Sequence, residues 1–269
     1  MTRAKKYIFI LCLIGFIGVA HFSAAARAEG GTTNFNREKI VIEPARKALR
    51  VGEKLFYDVL WNGIYVGEGT LEVKEIVTVR GREAYHIVAT ARSNEFLSKF
   101  YRLEDEIHSY IDTKDLSSLR FEKTQYEGKH HSDEITDFDQ QEHRGHFESR
   151  LSHSKKEFDI PPRVQDLASV FYYFRTLDVV ENSKVTIDVN ADERNWKVDM
   201  NVLGTEYLPI RRKGIHKVFC VAPKAPFKGV ISKRGKVWVY FSADAERIPL
   251  FIKIRIPFGF VVGVLERRE

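Results

Sequence analysis

The sequence predicts a mainly β protein: a single antiparallel β-barrel or β-roll with one central buried helix and a short second helix. Three observations predict it. Short runs of alternating apolar and polar residues recur from Glu53 to the C-terminus, with turn signals between them. Only one segment, Asp166 to Arg175, carries a convincing helical period. No regular alternation of strand and helix appears, which excludes a parallel sheet of βαβ units. An antiparallel sheet of many strands limits its exposed edges by closing or nearly closing.

The composition is compatible with such a fold. The chain has 269 residues, of which 43% are hydrophobic and 12% aromatic, too apolar for a disordered chain. With 17 Gly and 8 Pro it is neither collagen-like nor of low complexity. The length suits one large all-β domain with a sizeable core.

Residues 1–28 read as a signal peptide. Arg3, Lys5 and Lys6 precede an apolar run of 14 residues, Tyr7 to Ala20, and Ala26-Arg27-Ala28 fits the small-x-small cleavage rule. A bilayer span needs about 20 apolar residues, so the run suits export better than anchoring. Cys12 lies inside the run without a small residue before it, unlike a lipoprotein cysteine. Removing the segment takes away four cations and no carboxylate, lowering the net charge from +6 to +2. Nucleic-acid binding by a basic surface thereby loses its support. Cys220 becomes the only thiol, so no intramolecular disulfide can form. No later segment reaches 18 apolar residues, and the expectation is a periplasmic protein with no transmembrane segment after cleavage. Residues 29–50 form a polar, flexible lead-in, and 51–266 form the β domain.

The elements follow in order. Lys54 to Trp61 reads as a strand, and Asn62-Gly63 is a two-residue hairpin signal. Ile64 to Val79 is the long return strand, with Glu75 interrupting its apolar face, which suggests a bulge or an exposed end. Gly81 turns the chain into Glu83 to Arg92. Asn94 caps a short helical turn to Phe100, with Phe96, Leu97 and Phe100 on one side. Strands resume at Arg102 to Ile111, Leu119 to Tyr126 and Glu134 to Phe138, then weakly to Phe158. The polar stretch Gly128 to Lys156 reads as solvated hairpins at the sheet edge. After Pro161-Pro162, Leu167, Val170, Phe171 and Phe174 recur at i, i+3, i+4 and i+7, with Asp166 in the first turn; Tyr172 and Tyr173 flank that stripe. Val185 to Val189, Trp196 to Val202, Ile215 to Ala222, Lys236 to Phe241, Leu250 to Ile256 and Phe260 to Leu265 complete the strands.

These residues also carry a family resemblance. Gly52-Glu53-Lys54-Leu55-Phe56-Tyr57-Asp58-Val59, followed by Trp61-Asn62-Gly63-Ile64-Tyr65-Val66-Gly67, resembles the opening of the DUF3108 family of exported bacterial proteins. Tyr85 to Asn94, Tyr101 to Asp105 and Asp166 to Arg175 continue the likeness, which runs from about residue 50 to 266. The resemblance implies an envelope β protein, mostly Gram-negative. It brings no activity and transfers no catalytic residue.

Candidate chemistry divides three ways. His130, His131, His143, His146 and His153 cluster among Asp133, Asp137, Asp139 and Glu148, but a spacing of three on a strand puts side chains on opposite faces. No metal or cofactor is therefore expected. Cys220 and His216 share a strand face about 13 Å apart, too far for a nucleophile and its base. Glu104 and Glu106 face one way and Asp105 the other, the pattern of a structural ion pair rather than an acid/base couple. No catalytic residue is assigned. The aromatics Phe96, Phe100, Tyr101, Tyr172 and Tyr173 are the candidate ligand-binding residues, the walls of an apolar cavity under a curved sheet.

The leading expectation is a non-enzymatic periplasmic binding or assembly factor carrying a lipid or other amphiphile of the envelope. The alternatives are an interaction module with a filled barrel that docks an envelope protein, and, last, a hydrolase using the carboxylates and histidines. Export itself is testable. N-terminal sequencing of periplasmic material is expected to begin close to Glu29, and retention of residues 1–20 in the membrane fraction would overturn the cleavage.

Overall fold

The computed structural model describes residues 41–47, 49–210, 214–224 and 236–269. The expected signal peptide and residues 29–40 of the lead-in lie outside the described residues.

The chain enters its sheet in the middle. β1 (Lys54–Trp61) turns into β2 (Ile64–Val79), and β3 (Arg82–Ser93) follows. Asn62 (φ 47°) and Gly63 (φ 86°) both take positive φ, the primed turn that matches strand twist. The β2–β3 register slips between Val73 and Glu75, where the sequence places an interruption. Asn94 caps the short helix α1 (Glu95–Ser98) by accepting the Leu97 N–H at 2.8 Å. β4 (Leu103–Asp112), β5 (Ser118–Glu127), β6 (His130–Asp139), β7 (Arg144–Ser149) and β8 (Lys155–Asp159) run outward to one edge.

The chain then crosses to the opposite edge through α2 (Ser169–Arg175). β9 (Lys184–Ala191), β10 (Arg194–Ile210), β11 (Gly214–Lys224), β12 (Lys236–Ser242), β13 (Pro249–Ile256) and β14 (Gly259–Arg268) return to the centre. There β14 pairs with β1, Leu55 opposite Arg268 and Trp61 opposite Val261. All pairings between named strands are antiparallel, as the sequence predicts. The sheet nevertheless is not closed, with β8 and β9 as its two edges. The crossover covers part of the β9 edge. Gln165 N–H donates to Asp188 O at 2.9 Å, and Asn190 N–H donates to Gln165 O at 2.7 Å.

α2 lies in the interior of the curved sheet. Val170 and Phe174 join Met200, Val221, Val239 and Phe241 of the returning strands. Tyr172 packs on the other side against Val73, Tyr85, Ile87 and Ile111. Both ends of the helix are tethered by buried charge. The Asp166 carboxylate accepts the hydroxyls of Ser109 (2.6 Å) and Ser118, and the backbone N–H groups of Ala168 and Ser169 at 2.8 Å. At the far end Arg175 donates to both Glu53 oxygens, at 2.6 and 3.1 Å, and Arg268 adds a third bond at 3.0 Å. Arg175 and Glu53 are held as a buried ion pair, and Asp166, whose pKa burial raises, by hydrogen bonds alone.

Three local expectations change. Asp166 precedes α2 rather than sitting in its first turn, and its side chain forms a turn onto Ala168 and Ser169. Phe171 is half-buried, whereas Tyr172, off the expected stripe, is sealed, because the helix is contacted from two sides. Residues 41–47 and 49–50, read as part of a flexible lead-in, strap the end of the sheet. Glu43 and Arg46 N–H groups donate to Ala243 and Ala245 carbonyls at 2.8 Å, and Ile42 and Leu49 pack on the core.

Emptying the site of a fully buried aromatic costs about 3–5 kcal/mol. Phe174→Ala is expected to lose that much stability in urea denaturation, and Phe171→Ala clearly less. Equal losses would contradict the two-sided burial of α2.

Candidate functional site

β5 turns polar side chains toward the interior as well as toward solvent. Lys123, Gln125 and Glu127 alternate on its inner face and are buried, as are Asp105 on β4 and Ser132 on β6. The Gln125 amide donates to Asp105 at 3.3 Å and to Glu127 at 3.2 Å, while its oxygen accepts the Ser132 hydroxyl at 3.2 Å. Lys123 pairs with Glu134 at 2.8 Å.

The two edges of the sheet meet beside this group. The β9–β10 turn, with Asp192 (φ 55°) and Glu193 (φ 54°), lies over the inner face of β5 to β7. Lys156 of the β8 edge pairs with Glu193 at 3.1 Å, and the Asn195 amide donates to Asp159 O at 2.6 Å. A hollow of about 30 Å³ remains, lined by Lys123, Glu134, Asp192, Phe121, Phe138 and Leu167 among others. That volume accommodates a water molecule or two.

Burial raises the pKa of three carboxyls here, Glu127 most of all. Burial, reinforced by the Asp105 charge, pushes Glu127 from an ordinary 4.5 to about 9. Burial raises Asp105 as well, but the hydrogen bond from Glu127 works against that shift, so the pair keeps one proton on Glu127. Burial takes Asp192 from 3.8 to about 6, against the pull of Lys123. A carboxyl with a raised pKa thus lies on the same strand face as the Lys123–Glu134 ion pair. Asp105 and Glu127 come together from different strands, which is why spacing along one strand missed them. The available signal was β5 itself, where Lys123, Gln125 and Glu127 occupy positions that core residues usually fill.

The sequence-derived sites are distributed otherwise. Phe96 and Phe100 are 71% and 77% exposed, with ring centroids 5.7 Å apart. Tyr101 packs partly on the core, and its ring fills space that a Cβ at Gly128 would invade, 2.9 Å from Cε2. Tyr172 is 2% exposed, its buried hydroxyl without a hydrogen-bond partner. Tyr173 is half-buried with the Arg163 guanidinium 5.8 Å from its ring. The five aromatics are thus not gathered around one hollow. Glu104 binds Arg102, and Glu106 sits 3.0 Å from His108. His130, His131 and His146 lie on β6 and β7, His143 and His153 in turns. Among the described residues no three His, Cys, Asp or Glu side chains form a metal-holding group. Burial raises the Cys220 thiol to about 11, well above reactive range.

A family model described as a protein of unknown function, DUF3108, matches residues 57–266. No curated protein matches the chain. Among solved structures, a β-barrel-like protein from Brucella abortus, of a domain of unknown function called DUF1849, is similar with a TM-score of 0.53. At 8% identity the alignment covers 81% of this chain and 97% of that one, a likeness of fold alone.

The Glu127 shift carries a pH signature. A carboxyl whose pKa is raised on folding adds stability below its unfolded value and loses it as pH climbs through the folded one. Stability is expected to fall between pH 4.5 and about 9 through this group, and Glu127→Gln to flatten that decline. Denaturation curves across the range check it; matching slopes in both proteins would refute the assignment.

Proposed function

The chain belongs to the DUF3108 family, whose function is unknown, and on that footing we propose a non-enzymatic binding or assembly factor of the cell envelope that acts through its outer surface. The observation that carries this reading is the filling of the interior by α2. Phe174 is fully buried, Tyr172 and Val170 nearly so, and they contact opposite walls of the sheet. Amphiphile pockets have volumes of about 300–1,000 Å³. The hollow beside Lys123 measures about 30 Å³, and a second beside Arg175 about 10 Å³. A lipid would have to displace α2 and break both of its charged tethers. The interaction-module reading therefore takes precedence over the lipid carrier.

An exported, periplasmic location supports the envelope part of the reading and rests on the N-terminal 28 residues. The binding rather than catalytic role is supported by the way the buried carboxyls are used. Asp166 and Glu53 hold the helix, and Asp105 and Glu127 are bound by Gln125.

Native mass spectrometry of protein purified from the periplasm separates the readings. The expected spectrum shows the polypeptide mass, alone or with a stoichiometric protein. A stoichiometric lipid that survives desalting would restore the carrier.

A further inference from the structure

One end of the sheet carries exposed apolar side chains on three neighbouring loops. Ile64 (66% exposed) and Tyr65 follow the β1–β2 turn, Phe96 and Phe100 stand on and just beyond α1, and Phe258 (60% exposed) occupies the β13–β14 turn. Hydrogen bonds join the three loops into one surface. The Asn94 side chain donates to Tyr65 O at 2.9 Å and its backbone N–H donates to Val66 O at 2.8 Å. Asn62 donates to Phe258 O at 3.1 Å and accepts the Phe260 N–H at 2.9 Å. Contiguous exposed apolar surface of this kind marks an interaction site.

Its shape and charge select the partner. The Phe96, Phe100 and Phe258 rings are largely exposed, a form that a fluid lipid interface accepts and a rigid protein surface would have to match with pockets. Residues 59–67 carry no charge, 92–102 carry Arg92, Lys99 and Arg102 against Glu95, and 250–265 carry Lys253 and Arg255 with no carboxylate. These segments hold five cations and one carboxylate, Lys99 and Arg102 on the α1 loop and Arg92, Lys253 and Arg255 on the adjoining strands β3 and β13. Arg92 and Arg102 share Glu104 just behind them, so the surplus rests on Lys99, Lys253 and Arg255 against Glu95. Asp58 and Glu68 lie opposite each other on β1 and β2. Basic groups around apolar tips suit an anionic bilayer, where the apolar residues enter the headgroup boundary and the cations meet phosphates.

We propose that this end of the protein docks on an anionic membrane surface through Phe96, Phe100 and Phe258. The proposal rests on the reading that the protein acts through its outer surface. Vesicle flotation of the exported protein tests it, using phosphatidylethanolamine with phosphatidylglycerol against phosphatidylcholine alone. Flotation with the anionic vesicles, weakened by salt, is the expected result. Phe96→Ser with Phe100→Ser should reduce it on the order of tenfold, given the apolar area withdrawn from water. Phe258→Ser alone provides a second, smaller reduction, and Val180→Ser, exposed elsewhere, none. Circular dichroism and thermal melting confirm that each variant is folded. Absence of flotation, equal flotation of the double variant, or indifference to anionic lipid would each overturn the proposal. A failed flotation leaves the mass-spectrometric test of the interior untouched, so the two readings fail separately.

Discussion

A meander that begins and ends at the centre of its own sheet must jump once from one edge to the other. The β8-to-β9 crossover makes that jump, and the rest of the structure depends on how its polar groups are satisfied. The crossover runs through the space the sheet curves around, where an unpartnered charge is costly. Asp166 enters first and takes hydrogen bonds from Ser109, Ser118 and two backbone N–H groups. Arg175 leaves last and is held by Glu53, which also binds Arg268. One end of α2 is thereby fixed to β4 and β5, the other to the junction of the first and last strands. Between the tethers, Val170, Tyr172 and Phe174 fill the interior. The helix is placed by its two tethers, and its buried side chains occupy the space between the walls they contact.

Much of this was legible locally. Asn62-Gly63 can take positive φ at both turn positions, so it announces a hairpin without tertiary help. Asn94 announces a cap for the same reason, and Glu75 a break in register, because an acid among Val73, Val77 and Val79 does not fit an apolar face. The helix period was visible in Leu167, Val170, Phe171 and Phe174. Which side of α2 is sealed was not, because a stripe assumes one wall and the curved sheet supplies two. The tethers were also hidden. Arg175 and Glu53 are 122 residues apart and Ser109 and Asp166 are 57 apart, and no local pattern pairs them.

The site was less legible than the fold. Aromatics beside helical turns suggest a common lining, which puts Phe96 and Phe100 together with Tyr172. A helix of four residues, however, has too little length to press both rings onto a core, and they remain outside. Asp105 was correctly separated from Glu104 and Glu106 by alternation, but its partner Glu127 arrives by the β4–β5 pairing, where Leu103 faces Glu127 and Asp105 faces Gln125. Alternation assigns a face, and only the register assigns the neighbour.

The open seam explains why polar residues are buried there at all. A closed barrel would seal the β8 and β9 edges with backbone hydrogen bonds and could fill the space behind them with apolar side chains. Here the seam is joined by side chains instead, through Lys156 with Glu193 and Asn195 with Asp159. Water-sized space remains behind them, and Lys123, Glu134 and Asp192 line it. Replacing a buried ion pair by packed hydrocarbon is often neutral or stabilising, so polar groups at this seam are weak evidence of a gain in stability. Their effect is to fix how the edges meet. Glu193 has its lysine only if β9–β10 lies over β5 to β7, and Glu127 keeps its proton only while Asp105 and Gln125 are turned inward beside it. Burial of Glu127 beside Asp105 raises its pKa to about 9, which ties the stability of this polar group to pH.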